Sequence, residues 1–423
     1  MSPFLLVLIK VVAALAWFML LTLYLTWAER KESALMQDRV GANRASILGL
    51  RLFGLFQPIA DAIKMFFKED FVPPFANRFL HTLAPFLSFF FVAVNVAAVP
   101  FGPTITVGGR PLVLQILDID AGLILVLALL SLGIYGVLLS GWASNNRFTL
   151  LGSVRGAAQL ISYEAALGLS LVGLILVFPS LRLSDIVAYQ GGTVLGFLPR
   201  WGVFLQPLGF VIFFIAVFAE TKRVPFDLPE GESEIIGFFA EYGGLKWGLF
   251  MFTDFMEILI VSCLLSTLFF GGWQVPWLGN TGFHFPWGAD WPWPAWLVAA
   301  ARILAFQIKV FFFCWLQILI RWTYPRLRYD RLMDLGWKIL IPLSLLNIAG
   351  YGYLGLIGTA LAYALWFRGL HLLAPSSAAS LALLSPLSAT LLGWLVLQQT
   401  LSLGQMVGAA MVLGAVWLGQ RRG

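Results

Sequence analysis

Six acids fall within 22 residues of this chain: Glu220, Asp227, Glu230, Glu232, Glu234 and Glu241, out of only 21 in all 423 positions. Pro225 and Pro229 interrupt the run, and the two-residue spacing at 230, 232 and 234 does not suit one face of a helix. An irregular loop is therefore predicted there. A charge run is ordinarily a solvated face. Here apolar residues flank it on both sides, and crowded, partly buried carboxylates bind protons more tightly than free ones. Such a group can hold and release protons near neutral pH, so a proton path is the sharper reading.

Other charges lie inside apolar stretches: Glu164, Asp254, Glu257, Arg302 and Lys309, with Glu29 and Arg30 closing the first stretch. A charge at the centre of a membrane span costs roughly 2.5–3.5 kcal/mol on insertion scales, so such residues are functional candidates by default. Glu29 and Arg30 are placed equally well to reach out to the membrane surface. Arg302 and Lys309 are expected to pair with acids on neighbouring helices. No nucleotide cradle of the GxGxxG or GxxxxGK[ST] type is present. Cys263 and Cys314 both sit in apolar runs, with no CxxC, and His81, His284 and His371 are far apart in sequence. No cofactor or metal site is therefore expected in this chain.

Composition sets the elements that must hold these residues. The chain is 60% hydrophobic and 11% charged, against about 25% charge in ordinary soluble domains. That excludes a soluble globule and a disordered chain, and predicts an all-α polytopic membrane bundle. Apolar runs of spanning length occur near 3–27, 79–99, 119–140, 157–178, 205–220, 248–271, 295–320, 335–350, 352–367, 377–397 and 403–420. These make an eight-helix core and about three further helices. The first run has no small-residue cleavage site and is read as a retained helix. Loops after the odd-numbered core helices hold 17 Lys and Arg and the alternate loops only three. The N-terminus is then expected outside and the C-terminus inside. The net charge of +6 marks a membrane face rather than a nucleic-acid surface. Within the first inner loop, residues 52–68 repeat apolar positions at three- and four-residue steps and predict an amphipathic helix lying in the interface. The Trp- and Pro-rich stretch 272–294 is expected to be an outer interfacial loop.

Longer motifs carry a resemblance. They are AERK at 28–31, GLFQPIADAIKMFFKED at 54–70 and SGWASNNRFTLLGSVRGAAQLISYE at 140–164, then AETKRVPFDLPEGESE at 219–234, AEYGGLKWGLF at 240–250 and RLRYDRLMDLGWK at 326–338. In these segments the chain resembles the quinone-binding membrane subunit of bacterial proton-pumping NADH-quinone oxidoreductase (complex I), over residues 1–348. The resemblance implies a multi-pass subunit of the bacterial inner membrane that walls part of a quinone cavity. Quinone is then the substrate, and the iron–sulfur clusters and FMN belong to partner subunits. The implied partners are the hydrophilic-arm subunits of the quinone site and neighbouring small membrane subunits. The positions that match the family's relay acids are Glu29, Asp61, Glu164, Glu220, Asp227, Glu230, Glu232, Glu234 and Glu241. Asp254 stands where some members have Glu. Arg30, Gln57, Asp61 and Phe226 match positions near the cavity wall.

The chain departs from the family in three places. GPNR reads GANR at 41–44, Ser131 stands where some members carry a glutamate, and Asp254 is shorter by one methylene than its Glu counterpart. From residue 349 the resemblance ends. The text over 353–420 is similar to the closing helices of an EamA-type drug/metabolite transporter, which identifies 349–423 as a fusion tail or an assembly join. About half a repeat cannot enclose a substrate site. Two rival readings follow: a secondary transporter, argued from the tail, and the equivalent subunit of a related hydrogenase or dehydrogenase. Nothing in 1–348 shows the repeat symmetry of a transporter.

Overall fold

A computed structural model describes residues 3–351 apart from 108–109, 195–196, 232–233 and 289, together with residues 368, 408 and 411. The chain divides into two units, Met1–Gly352 and Tyr353–Gly423. The three further helices expected over 352–420 lie, apart from residues 368, 408 and 411, outside the described residues.

In chain order the helices are α1 (Pro3–Met36), α2 (Gln57–Phe67), α3 (Arg78–Asn95), α4 (Gly122–Ala143), α5 (Arg147–Val177), α6 (Leu183–Tyr189), α7 (Gly202–Leu205), α8 (Pro207–Glu220), α9 (Gly244–Phe269), α10 (Ala295–Thr323), α11 (Tyr329–Asp334) and α12 (Ile341–Tyr351). A π-helical segment, Leu335–Leu340, joins the last two. Three two-stranded antiparallel hairpins decorate the loops: β1 (Ile105–Val107) with β2 (Arg110–Leu112), β3 (Thr193–Val194) with β4 (Leu198–Pro199), and β5 (Gly282–His284) with β6 (Asp290–Pro292). The last of these lies in the Trp-rich stretch 272–294.

Among the described residues, seven helices are long and apolar enough to cross a bilayer. The expected core span missing from these seven is the fifth, 205–220, which is α8 and has 14 residues. At 1.5 Å per residue it covers about 21 Å, less than a hydrocarbon core of about 30 Å. Pro207 opens it, and Gln206, with φ −134 and ψ 57, separates it from the single turn of α7. This span is therefore interrupted. α9 is its opposite, with 78% of its most apolar window buried, and it forms the centre of the bundle.

Several boundaries differ from expectation for local reasons. α1 continues to Met36, so Glu29 and Arg30 are helical residues rather than the start of a loop. α5 begins ten residues early because the Asn146 side chain accepts a hydrogen bond from Phe148 N at 2.9 Å and caps it. That cap places Glu164 near the middle of its helix. The amphipathic helix begins only at Gln57. Phe53 (φ 55) and Gly54 (φ +86) form a left-handed turn first, and a Cβ on Gly54 would lie 2.0 Å from the Ala42 carbonyl oxygen. From α2 onward the apolar stripe is as the periodicity predicts, and it leaves Ile63, Phe66 and Phe67 exposed.

Candidate functional site

The site is built where α1, α8, α9, α10 and the 221–243 loop meet. The last turn of α8 carries Glu220 into the core, 8% exposed. The chain then leaves the helix through Thr221 and Lys222, and Lys222 adopts φ +55, a left-handed conformation unusual for a side chain of its size. This backbone turns the ammonium inward. Lys222 Nζ donates to Glu257 Oε1 at 2.8 Å and Oε2 at 2.7 Å, and lies 3.3 Å from Asp254 Oδ1. Asp254 and Glu257 are three positions apart on α9, so one cation reaches both. Against the cost of desolvation, Glu257 and Asp254 hold the Lys222 amine above lysine's usual range.

Arg223 points the other way along the same seam. It donates to Glu29 Oε2 at 2.8 Å and stacks over the Phe255 ring at 4.0 Å. Arg321, from the last turn of α10, reaches the other oxygen of Glu29 at 2.5 Å. Glu29 is thus a buried acid held between two guanidinium groups, and is not snorkelling. Its neighbour Arg30 lies about 100° around the helix and bonds outward to Asp61 Oδ2 on α2 at 2.6 Å. Gln57 donates to the other oxygen of Asp61 at 3.3 Å. The end of α1 therefore joins two groups: Arg30, Gln57 and Asp61 beside the amphipathic helix, and the buried cluster behind it.

The 221–243 loop is irregular, as its prolines and spacing predict. It is pinned to α5 by Gln159, whose amide donates to the carbonyls of Ala219 at 2.6 Å and Phe226 at 2.8 Å. Phe226 is buried, edge-on to Tyr163 and near Phe218. Glu230 lies near Asp254, Asp227, Arg321 and Arg223, and burial together with the first two pushes its carboxyl well above the usual range. Glu234 is half exposed, and its hydrogen bond and ion pair with Arg155 at 2.8 Å hold it below that range. Arg326 donates to the Asp227 carbonyl at 2.7 Å. Glu232 lies outside the described residues.

The remaining sequence-predicted acids are more distant. Glu164 is exposed on the flank of α5, where it accepts a hydrogen bond from Ser131 on α4 at 2.7 Å. The hydroxyl of Ser131 thus occupies the place where an acid is expected in some relatives. Glu220 lies within electrostatic reach of Glu164, Glu257 and Lys222. Glu241 belongs to a separate corner. There it accepts from Asn146 at 2.6 Å, and its carbonyl meets His81, which stacks on Tyr242 at 3.9 Å. The expectation that Arg302 and Lys309 pair with acids is wrong. Lys309 Nζ donates to three carbonyls just beyond α9, those of Phe270, Gly272 and Gln274, at 2.6–2.9 Å. Arg302 donates to the Leu278 carbonyl and the Asn280 side chain. Both hold the 270–280 loop, because carbonyls at a helix C-terminus attract cations.

From Glu164 to Glu29 there is then a run of ionisable side chains, each in contact with or within electrostatic reach of the next. Five carboxyls (Glu29, Glu220, Glu230, Asp254, Glu257) face three cations (Lys222, Arg223, Arg321). Full ionisation would leave two uncompensated negative charges in a largely desolvated region, which is costly. Residues 9–351 match the NADH dehydrogenase family.

The chain belongs to that family.

Its curated relatives in the family include one of the H subunits of the NADH-quinone oxidoreductases of Geobacter metallireducens, 46% identical over 344 residues, covering 81% of this chain and 94% of the relative. The corresponding protein of Flavobacterium psychrophilum is 43% identical over 344 residues (80% and 94%), and that of Thermomicrobium roseum 44% over 339 (79% and 92%). Residues 331–419 match a second family, the EamA-like transporters, and overlap the end of the first match. The chain is therefore a multi-pass membrane member of an oxidoreductase complex. Lys222, Arg223 and Arg321 complete the site, although in the sequence they read only as markers of orientation. Glu257 stands out there as an intramembrane acid, but nothing in the text groups it with the loop.

Proposed function

We propose that this chain walls part of a quinone cavity in a proton-translocating NADH-quinone oxidoreductase and couples quinone reduction to proton movement. The observation that carries the reading is the string of carboxyls from Glu29 to Glu164, interleaved with too few cations to neutralise it. Quinone reduction to quinol consumes two electrons and two protons. Electrons arrive from an iron–sulfur cluster of a hydrophilic-arm partner that takes them, through further clusters and FMN, from NADH. Arg30, Gln57 and Asp61 stand at the α1–α2 entrance, Phe226 lies deeper, and the apolar stripe of α2 faces the isoprenoid tail. A change of charge at the head group shifts the balance within the buried cluster, and the string passes that shift toward Glu164 on the bundle's flank, where a neighbouring membrane subunit continues the path. Glu234, held by Arg155 at the edge of the 221–243 loop, would stand at the cover of the cavity.

The positive-inside imbalance orients the chain with its N-terminus outside and the 221–243 loop in the cytoplasm of a bacterial inner membrane. In this reading residues 1–348 carry the function, and 349–423 are a fused tail. The test is NADH:quinone activity, measured as the inhibitor-sensitive rate in membranes carrying Glu164→Gln or Glu220→Gln. Gln keeps the shape and removes the proton. We expect each variant to lose most of the rate, tenfold or more for Glu220→Gln, with the complex assembled. Near-normal rates in both would overturn the relay role.

A further inference from the structure

Lys222 and Glu257 belong to the buried cluster, where they form its most closely bonded ion pair, but neither has yet been given a role of its own. We propose that Lys222 is a positioning residue that holds Glu257, and with it Asp254, beside Glu220, and that Glu257 is a further proton-accepting carboxyl of the same path. The inference rests on the proton-path reading and deepens it.

Three observations meet here. First, Lys222 grips both oxygens of Glu257, and the pair is buried, at 3% and 5% exposure. A buried ion pair adds little stability over apolar residues of the same size, so its presence calls for a use. Second, the backbone of Lys222 is held in the left-handed region. Such strain persists only where the surroundings fix it, and it gathers at functional positions. The ammonium of an exposed lysine at the end of α8 would otherwise reach water. Third, the grip is incomplete. Asp254 Oδ1 is 3.3 Å from Nζ, while its Oδ2 is buried with no hydrogen-bond partner among the described residues. An acceptor oxygen without a donor is where a proton or a proton-carrying water would be stabilised.

Every charged group facing Lys222 fits this role. α9 supplies Asp254 and Glu257, α8 supplies Glu220, and the loop supplies Arg223 and Glu230, with Glu29 of α1, Arg321 of α10 and Glu164 of α5 behind them. Arg223 and Arg321 both bond to Glu29, and Arg223 reaches Asp254 and Glu257 only at longer range. Lys222 is the cation in direct contact with Asp254 and Glu257. One ammonium among three carboxyls favours one ionised partner, and a proton added to the set can rest on either of the others. Holding Asp254 and Glu257 at fixed distance keeps both within reach of Glu220, whose carboxyl ends α8.

The test uses the complete complex in membrane vesicles, with NADH oxidation and proton uptake followed together. Lys222→Met, Glu257→Gln and the double variant are compared with Lys222→Arg and with Glu220→Gln. Positioning predicts that the two single variants and the double variant share one deficit, a several-fold fall in coupled rate with the quinone KM unchanged, and that Lys222→Arg recovers most of it. Residues acting through each other give losses that do not add. The double variant leaves no unpaired partner from the Lys222–Glu257 pair, so it remains readable if a single variant fails to assemble. Losses that multiply in the double variant would overturn the proposal. So would a wild-type coupled rate in Glu257→Gln or in the double variant while Glu220→Gln is slow. A wild-type rate in Glu220→Gln as well would instead remove the proton-path reading on which the proposal rests.

Discussion

At the residue scale the site is defined by unequal numbers of opposite charges. Lys222, Arg223 and Arg321 pair with Asp254, Glu257 and Glu29, and Glu220 and Glu230 lie within electrostatic reach of the same cations. Glu230 shows the consequence most clearly, since burial and the nearby Asp254 and Asp227 push its carboxyl well above the usual range. The linkage has a definite sign. A folded-state pKa above the unfolded value means that the folded chain binds the extra proton, so stability falls as pH rises between the two values. Each pH unit in that window costs about 1.4 kcal/mol. Glu230→Gln, a mimic of the neutral acid, should therefore raise the melting temperature of the detergent-solubilised complex by several degrees at pH 8 and by little at pH 5. An equal change at both values would show that Glu230 is ionised in the folded protein. The acids of this cluster were legible in the sequence because charge is rare in this chain. Their partners were not. Lys222, Arg223 and Arg321 belong to basic loops that the positive-inside rule explains without any site, and only the folded backbone brings them to Glu29 and Glu257.

At the element scale most spans within residues 3–351 were legible to within a few residues, because hydrocarbon thickness fixes helix length; the end of α1 and the start of α5 fall about nine and ten residues beyond the expected bounds. The misplacements have local causes: the Asn146 cap, the Gly54 turn and the broken α7–α8 span. None of these alters mean hydropathy enough to be read from a window. Packing between spans depends on small residues. A Cβ on Gly136 of α4 would lie 2.6–2.8 Å from the Cβ, N and Cα of Ser88 on α3, where backbone cannot give way. Gly136→Ala should part these two helices and destabilise the bundle by about 1–3 kcal/mol. The expected result is a lower melting temperature and lower yield of assembled complex, and an unchanged melting temperature would contradict the close α3–α4 contact. Lys309 works at the opposite end of α9, where three carbonyls receive its ammonium. A sequence points to an acid for such a lysine because carbonyl acceptors carry no signature in side-chain text.

At the scale of the whole molecule, membership in the NADH dehydrogenase family over residues 9–351 accounts for the bundle, and the match of 331–419 to EamA-like transporters accounts for the change of character in the tail. Exposed apolar side chains run along α1, from Phe4 to Leu20, as befits a helix that meets lipid or other subunits. The central claim concerns what crosses this molecule. It holds that reducing quinone changes the protonation of the buried carboxyls through Glu220. Redox-induced infrared difference spectroscopy of the assembled complex reads this directly, because a protonated carboxyl has a C=O stretch that a carboxylate lacks. On quinone reduction the native complex should show a carboxyl band that appears or vanishes, and Glu220→Gln should remove it. A band that persists unchanged in that variant, or a native spectrum with no carboxyl change at all, would contradict the account.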